Sequence, residues 1–360
     1  MATATKSSRR TKPLQAPDII WPTKPLYYTE PKAINGFWYD PKAADKIIRF
    51  MTDHLTLFKG QWAGEPAKPL LWTEKLLREI FGWKRPDGTR QYRVVYIEVP
   101  RKNIKSHTAG AVGLYLLVAD EEQAGEVYSC ATDTDQARIV WDIAKAFIET
   151  SPALSQVCNI FQRSITVPKL RASYKVLSSE VASKHGYDSH GVIIDEVHAH
   201  TDRELWDVMQ TSMVARRQPM LFSITTAGYD TSSLCYEMHE YTRKIAEGQV
   251  DDPSFYGLIF GATEEDDWTS PETWEKANPC YGVTVTREFL ESECVKAKTN
   301  PAYENTFRRL YLNQWVHQET RWMPMTAWDA STGPLSYLEL IEEMEGRECF
   351  GGLDLSSRED

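Results

Sequence analysis

Tyr92-Arg-Val-Val-Tyr-Ile-Glu-Val99, followed by Pro100-Arg101-Lys102-Asn103-Ile104-Lys105-Ser106, is the stretch that decides how this chain reads. The first part is rich in β-branched and aromatic residues and predicts a buried strand. A loop follows, and then a helix is expected. Such a strand–loop–helix junction can cradle phosphate. Backbone N–H groups at the helix start point at the anion, a Lys reaches the β/γ oxygens and a Ser or Thr hydroxyl holds Mg²⁺. Lys105 and Ser106 match the last two parts. The general pattern GxxxxGK[ST] wants glycine at 99 and 104, where this chain has Val99 and Ile104. Taken alone, a Lys-Ser after a strand is more often an exposed basic loop than a phosphate site.

Two further stretches change that balance. Gly191-Val-Ile-Ile-Asp195-Glu196 is an apolar run ending in two acids, which places both carboxylates at the C-terminal end of a strand. In a doubly wound sheet, ligands bind at that edge. Asp195 there would hold Mg²⁺ through water, and Glu196 would orient or deprotonate an attacking water. By itself the run also fits a strand ending in a solvated acidic turn. Leu221-Phe-Ser-Ile-Thr225-Thr226-Ala-Gly228 predicts a third buried strand, ending in hydroxyl residues that could sense a nearby γ-phosphate. The three stretches occur in the order a nucleotide-hydrolysing sheet requires.

Around them, strands are expected at Leu114–Val118 and Glu126–Ala131. Helices are expected at Pro41–Phe58, Thr73–Phe81, Asp133–Glu149 and Asp202–Val214. Strands alternating with helices predict an α/β fold, a mostly parallel sheet with helices on both faces. Beyond about residue 230 the sequence becomes acidic and aromatic, with helices expected near Ser233–Glu247, Thr286–Thr299 and Tyr303–Asn313. The expected organisation is an N-terminal arm and helical extension (1–59), a nucleotide-binding core (60–230), an α-rich lid (231–345) and the first strand of another domain (346–360). That strand is read at Cys349–Ser356, and the chain ending with it suggests a truncation.

The chain is 42% hydrophobic and 26% charged, which suits a folded core rather than a disordered polymer. No run approaches the roughly 18 apolar residues of a membrane span, so no membrane partner is expected. A net charge of −10 argues against a passive DNA coat, and any DNA would be held by a local patch. The basic start, with Lys6, Arg9, Arg10 and Lys12, reads as a disordered arm. The six cysteines form no CxxC pair, which gives no sign of a zinc ribbon or disulfide framework. His198 and His200 lack a second ligand pair at metal spacing.

At Val99–Ser106 the chain resembles one family, the terminase large subunits of tailed phages, whose phosphate loop is usually written PRKNGKS. The resemblance covers roughly residues 60–356. It implies a P-loop NTPase fold of the ASCE type with ATP and Mg²⁺ as cofactors. Pro100 through Ser106 would line the nucleotide, and Arg101 would act in cis on the γ-phosphate. Leu71-Trp72 before a helix is similar to the family's adenine-side motif and puts Trp72 at the base, with Pro replaced by Leu71 and Gln by Thr73. Ser129–Arg138 resembles the segment opening the helix after the third strand and makes Arg138 a candidate to reach a neighbouring subunit. Thr225 and Thr226 fall in the coupling motif. Gly351-Gly-Leu-Asp354 is similar to the first strand of an RNase H-like nuclease, in which Asp354 would share divalent metal with carboxylates absent here. No nuclease activity is expected from this chain.

The resemblance further implies ATP-driven translocation of double-stranded DNA into a procapsid. It implies a homo-oligomeric ring, commonly a pentamer, docked on the portal protein in the host cytoplasm, with a small terminase subunit recognising the DNA. Two other readings stay open on the residues alone. Asp195-Glu196-Val197-His198 also fits a DExH helicase box. The two missing loop glycines fit a catalytically degenerate scaffold.

Overall fold

The computed structural model describes residues 19–33, 35–178, 186–200, 203–316 and 337–348, with single positions at 330 and 333. The elements run β1 (Tyr27–Tyr28), β2 (Trp38–Tyr39), α1 (Pro41–His54), α2 (Leu71–Gly82), β3 (Trp83–Lys84), β4 (Val94–Glu98), α3 (Lys105–Val118) and β5 (Glu126–Ala131). Next come α4 (Thr134–Glu149), α5 (Pro152–Val157), β6 (Asn159–Ile160), β7 (Ser164–Val167), β8 (Ala172–Ser178), β9 (Ser189–Asp195) and α6 (Glu204–Thr211). The rest are β10 (Met220–Thr225), α7 (Leu234–Ala246), β11 (Phe255–Ile259), α8 (Pro271–Ala277), α9 (Arg287–Thr299), α10 (Pro301–Leu312) and α11 (Tyr337–Met344). Residues 1–320 form one unit and 321–360 another, and α11 is the one element described in the second. The arm at Met1–Lys12, the strand at Cys349–Ser356 and Asp354 lie outside the described residues.

One sheet organises the first unit, in the order β1-β11-β4-β10-β9-β5-β8-β7-β6. The run from β11 to β8 is parallel throughout, and β1, β7 and β6 add antiparallel margins. Alternation along each strand explains why both faces carry helices. Val95 and Ile97 of β4, Phe222 and Ile224 of β10 and Ile193 of β9 face one core with α1 to α4. Tyr96, Leu221, Val192 and Ile194 face a second core with Leu205, Trp206 and Met209 of α6 and Cys235 of α7. A third, smaller core unites α8, α9 and α10 around Trp274, Leu290 and Phe307.

Among the described residues, the expected elements are present with one change of type. Leu114–Val118, read as a strand, is the last third of α3. A short apolar run cannot by itself distinguish a buried helix from a strand. Here α3 is apolar on nearly all sides because the sheet lies on one side and α4 on the other. Gly110 and Gly113 permit that approach: a Cβ on Gly110 would meet Ile143 at 2.8 Å, and one on Gly113 would meet the Tyr174 hydroxyl at 2.9 Å.

The sheet also continues past the expected core boundary at 230. α7 packs on it, and β11 pairs with β4 from Phe255↔Val94 to Ile259↔Glu98. Gly257 sits mid-strand because α7 crosses there, and a Cβ would collide with the Thr242 side chain. No described helix is long and apolar enough to cross a membrane.

Candidate nucleotide site

The parallel registers bring the ends of β4, β10 and β9 to a single edge. Thr225 pairs with Glu98 and Ile224 with Asp195. β10, which follows β9 in sequence, lies between β4 and β9 in space. The phosphate-type loop and the Asp-Glu pair are therefore two strands apart, with the Thr225–Thr226 loop between them. The Val99 N–H donates to Thr225 O at 3.0 Å, and the Glu196 N–H donates to Ile224 O at 2.9 Å. These bonds hold the three loops in one frame.

The loop keeps the geometry that glycine normally supplies. Ile104 is the N-cap of α3 in the left-handed region, φ 55° and ψ 25°, and Lys102 is left-handed too, at φ 69°. The left-handed region costs a side-chain-bearing residue on the order of 1–2 kcal/mol, and β-branching stiffens it further. Ile104 is half-buried and packs on the main core, which offsets part of that strain. We expect Ile104→Gly to be more stable than Ile104→Ala by about 1 kcal/mol, because both lose the packing and only glycine loses the strain. Denaturant midpoints of the two variants check this, and the reverse order would mean the loop is not held left-handed.

Lys105 is buried, and its Nζ donates to Val99 O at 3.3 Å and lies 3.8 Å from Glu196 Oε1. Burial pulls the ammonium's pKa down, and Glu196 and Asp195 push it back up. Ser106 Oγ donates to Asp195 Oδ2 at 3.1 Å. The two predicted Mg²⁺ ligands thus meet across the loop. A hydroxyl and one carboxylate suit Mg²⁺, which takes its remaining ligands from water and phosphate. Burial and the neighbouring Glu196 raise the Asp195 pKa. Burial also raises that of Glu196, but the positive charges of Lys105 and Arg101 pull it back down and keep the carboxylate ionised. Glu196 is itself left-handed, at φ 53°. Its Oε2 lies 3.2 Å from His198 Nδ1 without hydrogen-bond alignment, so that buried oxygen has no donor among the described residues.

Several expected ligands have other duties. Trp72, expected at the adenine, is completely buried. Its Nε1 donates to Cys280 Sγ at 3.1 Å, and its ring packs edge-on against Phe260. It supports the site from behind. Its neighbours Leu70, Leu71 and Thr73 instead line a cavity of about 760 Å³ that also touches Lys102, Ile104 and His107. Pro100 has no N–H to donate. The Asn103 side chain is fully buried: Nδ2 donates to Asn278 Oδ1 at 2.9 Å, and Oδ1 accepts from the Cys280 N–H at 2.9 Å. Only its backbone remains for phosphate. Arg101 is exposed and Arg138 half-buried on the second turn of α4. Neither side chain makes an ion pair or hydrogen bond among the described residues.

Long-range bonds fasten these loops to the segment beyond β11. The Arg101 N–H donates to Leu310 O at 2.8 Å, and Thr284 Oγ1 donates to Lys102 O at 2.5 Å. Asn313, left-handed and buried at the end of α10, accepts from the Ala227 N–H at 2.6 Å and donates to Glu98 Oε1 at 3.2 Å. The α8–α10 segment thus grips both the phosphate loop and the Thr225–Gly228 loop. Sequence carried no local signal for this, because the partners lie far apart along the chain.

A nine-stranded, mostly parallel sheet with a Lys-Ser loop after one strand, an Asp-Glu pair after another and a strand inserted between them defines a P-loop nucleotide hydrolase fold of the ASCE class. Two family models match the chain. One, for the terminase large subunit ATPase domain, spans residues 72–244, and one, for the terminase large subunit endonuclease domain, spans residues 249–360. The chain belongs to the terminase large subunit family.

Among curated proteins, Protein YmfN of Escherichia coli (strain K12) is 36% identical over 175 residues, 49% of this chain and 38% of that protein. The large terminase subunit of Enterobacteria phage HK97 is 27% identical over 327 residues, 88% of this chain and 60% of that protein. The chain thus spans less than two thirds of the length of these relatives. The crystal structure of the HK97 bacteriophage large terminase superposes with a TM-score of 0.66 at 23% identity, covering 76% of this chain and 55% of that one. That likeness concerns the fold.

Proposed function

We propose that this chain is the ATP-hydrolysing motor portion of a phage DNA-packaging enzyme. The observation that carries the proposal is the meeting of Lys105, Ser106, Asp195 and Glu196 at one sheet edge, from segments far apart in sequence. ATP enters with its phosphates on the amides of the loop and its base in the cavity beside Leu71 and Ile104. Lys105 swings from Val99 O to the β/γ oxygens. Ser106 and Asp195 would hold Mg²⁺, which when bound neutralises charge on those oxygens. Glu196 orients the attacking water with its donor-free oxygen and takes up its proton. Arg101, uncommitted and exposed, reaches the transferred phosphoryl group, a role in which arginine contributes roughly 10³–10⁵ in rate. Arg138 serves a neighbouring subunit.

Thr225 and Thr226 pass the hydrolysis state on to the α8–α10 segment. The moved substrate is double-stranded viral DNA. The partners are further copies in a ring, commonly of five, the portal protein and a small terminase subunit, on a procapsid in the host cytoplasm. Asp354 would contribute one ligand to the divalent metals of a nuclease.

ATP hydrolysis measured with and without double-stranded DNA, over a range of protein concentrations, tests the proposal. Turnover that rises with concentration or DNA is expected. Lys105→Ala should weaken ATP binding by at least tenfold, about 1.4 kcal/mol, as read by titration with a fluorescent ATP analogue. Unchanged affinity would mean Lys105 does not touch phosphate.

A further inference from the structure

We infer that His198 is a positioning residue for hydrolysis, setting the Glu196 carboxylate according to the state of Thr225 and Thr226. The inference rests on Glu196 as the water-orienting carboxylate. His198 lies in the short turn Val197–Ala199 that reverses the chain after the left-handed Glu196. This turn brings its ring back over the end of β10. The backbone N–H of His198 donates to Thr225 Oγ1 at 3.1 Å, which pins the turn to that strand. The ring's Nδ1 then lies 3.0 Å from Thr225 Oγ1, 3.3 Å from Thr226 Oγ1 and 3.2 Å from Glu196 Oε2.

One ring nitrogen offers one proton or one lone pair, so it cannot serve three oxygens at once. Thr225 spends its own hydroxyl proton on Thr226 O at 3.0 Å and is therefore an acceptor toward the ring. In this arrangement Nδ1 is engaged by the threonines, and Glu196 Oε2 is left without a donor. A small movement of the Thr225–Gly228 loop releases Nδ1 to Glu196 and turns the carboxylate. That loop is held by the residues that follow α10. Asn313 holds the Ala227 N–H, and Gly228 packs so tightly that its Cβ would meet the Trp315 ring at 3.0 Å and His198 Cβ at 3.6 Å. The same histidine is thus touched by the catalytic carboxylate on one side and by the receiver of the motor stroke on the other.

The test compares His198→Ala and His198→Asn with wild type and Glu196→Gln in steady-state hydrolysis and nucleotide binding. His198→Ala should lower kcat by about tenfold or more, a part of the roughly 10²–10⁴ that a positioned base contributes, with ATP affinity and KM unchanged. The Asn amide can place a nitrogen near the Nδ1 position, so His198→Asn should recover part of the loss. In ¹⁵N-histidine NMR of the wild-type chain, the His198 ring signal, assigned by its loss in His198→Asn, should move when a non-hydrolysable ATP analogue binds. An unaltered kcat, or a static ring signal, overturns the inference if Glu196→Gln still abolishes turnover. If Glu196→Gln retains turnover, the reading of the site itself fails. Should His198→Ala not fold, the Asn variant and the wild-type ring signal decide.

Discussion

Glu196→Gln is expected to reduce ATP turnover by roughly 10²–10⁴ while leaving ATP affinity within about twofold of wild type. Glutamine preserves the shape of the side chain and tolerates the same left-handed backbone at φ 53°. It removes the negative charge that would accept the water's proton. Lys105 loses a carboxylate partner 3.8 Å away, but it keeps Val99 O and Asp195 nearby, so phosphate binding survives. Binding measured with a fluorescent ATP analogue, alongside phosphate release, separates the two effects. Near-normal release would show that another group orients the water and would remove Glu196 from the mechanism.

The largest expected effect on stability lies at the opposite end of β9. Arg90 is 1% exposed, yet it carries a full charge. Its Nη1 and Nη2 donate to the two oxygens of Asp120 at 3.0 Å each, and Nη2 also reaches Gln218 O. His190 Nε2 lies 2.7 Å from Asp120 Oδ2. This cluster joins the approach to β4, the end of α3, β9 and the approach to β10, so it clamps the strands that carry the site. Removing one partner strands a buried charge. We expect Asp120→Ala to lose about 3–5 kcal/mol, read as a lower denaturant midpoint at unchanged slope. A loss under about 1 kcal/mol would mean that water or another group takes over Arg90.

The pH dependence of that loss follows from the sign of the shift. Burial raises the Asp120 pKa, but Arg90 and His190 more than reverse it and hold the carboxyl well below its usual range. A depressed carboxylate stabilises the fold above its unfolded pKa of about 3.9, and that contribution fades as pH falls toward the folded value. The gap between wild type and Asp120→Ala should therefore be full at neutral pH and shrink below about pH 4.

Legibility in the sequence followed the range of the interactions. Val94–Glu98, Ser189–Asp195 and Met220–Thr225 contain short apolar runs that end in turn or acidic residues, and a buried parallel strand demands such a run. α1 and α4 were readable because Asp40 and Asp133 cap them through local bonds. β11 was not readable, since five residues broken by Gly257 make a weak strand until β4 and α7 close around them. β7 and β8 were missed for a similar reason, because their pairing with each other and with β5 defines them more than their composition does.

The residue order alone determined which chemistry the chain can perform. A lysine and a hydroxyl after one strand, two acids after another and a threonine pair after a third are properties of short segments, each set by local chain direction. The tertiary structure decided which of these groups meet and which neighbours are withdrawn from the site. It sealed Trp72 and the Asn103 side chain inside the protein, held Ile104 in a glycine's conformation and swung His198 between Glu196 and the threonines. Those outcomes depend on burial and on contacts between residues tens to hundreds of positions apart, and local propensity does not encode that information.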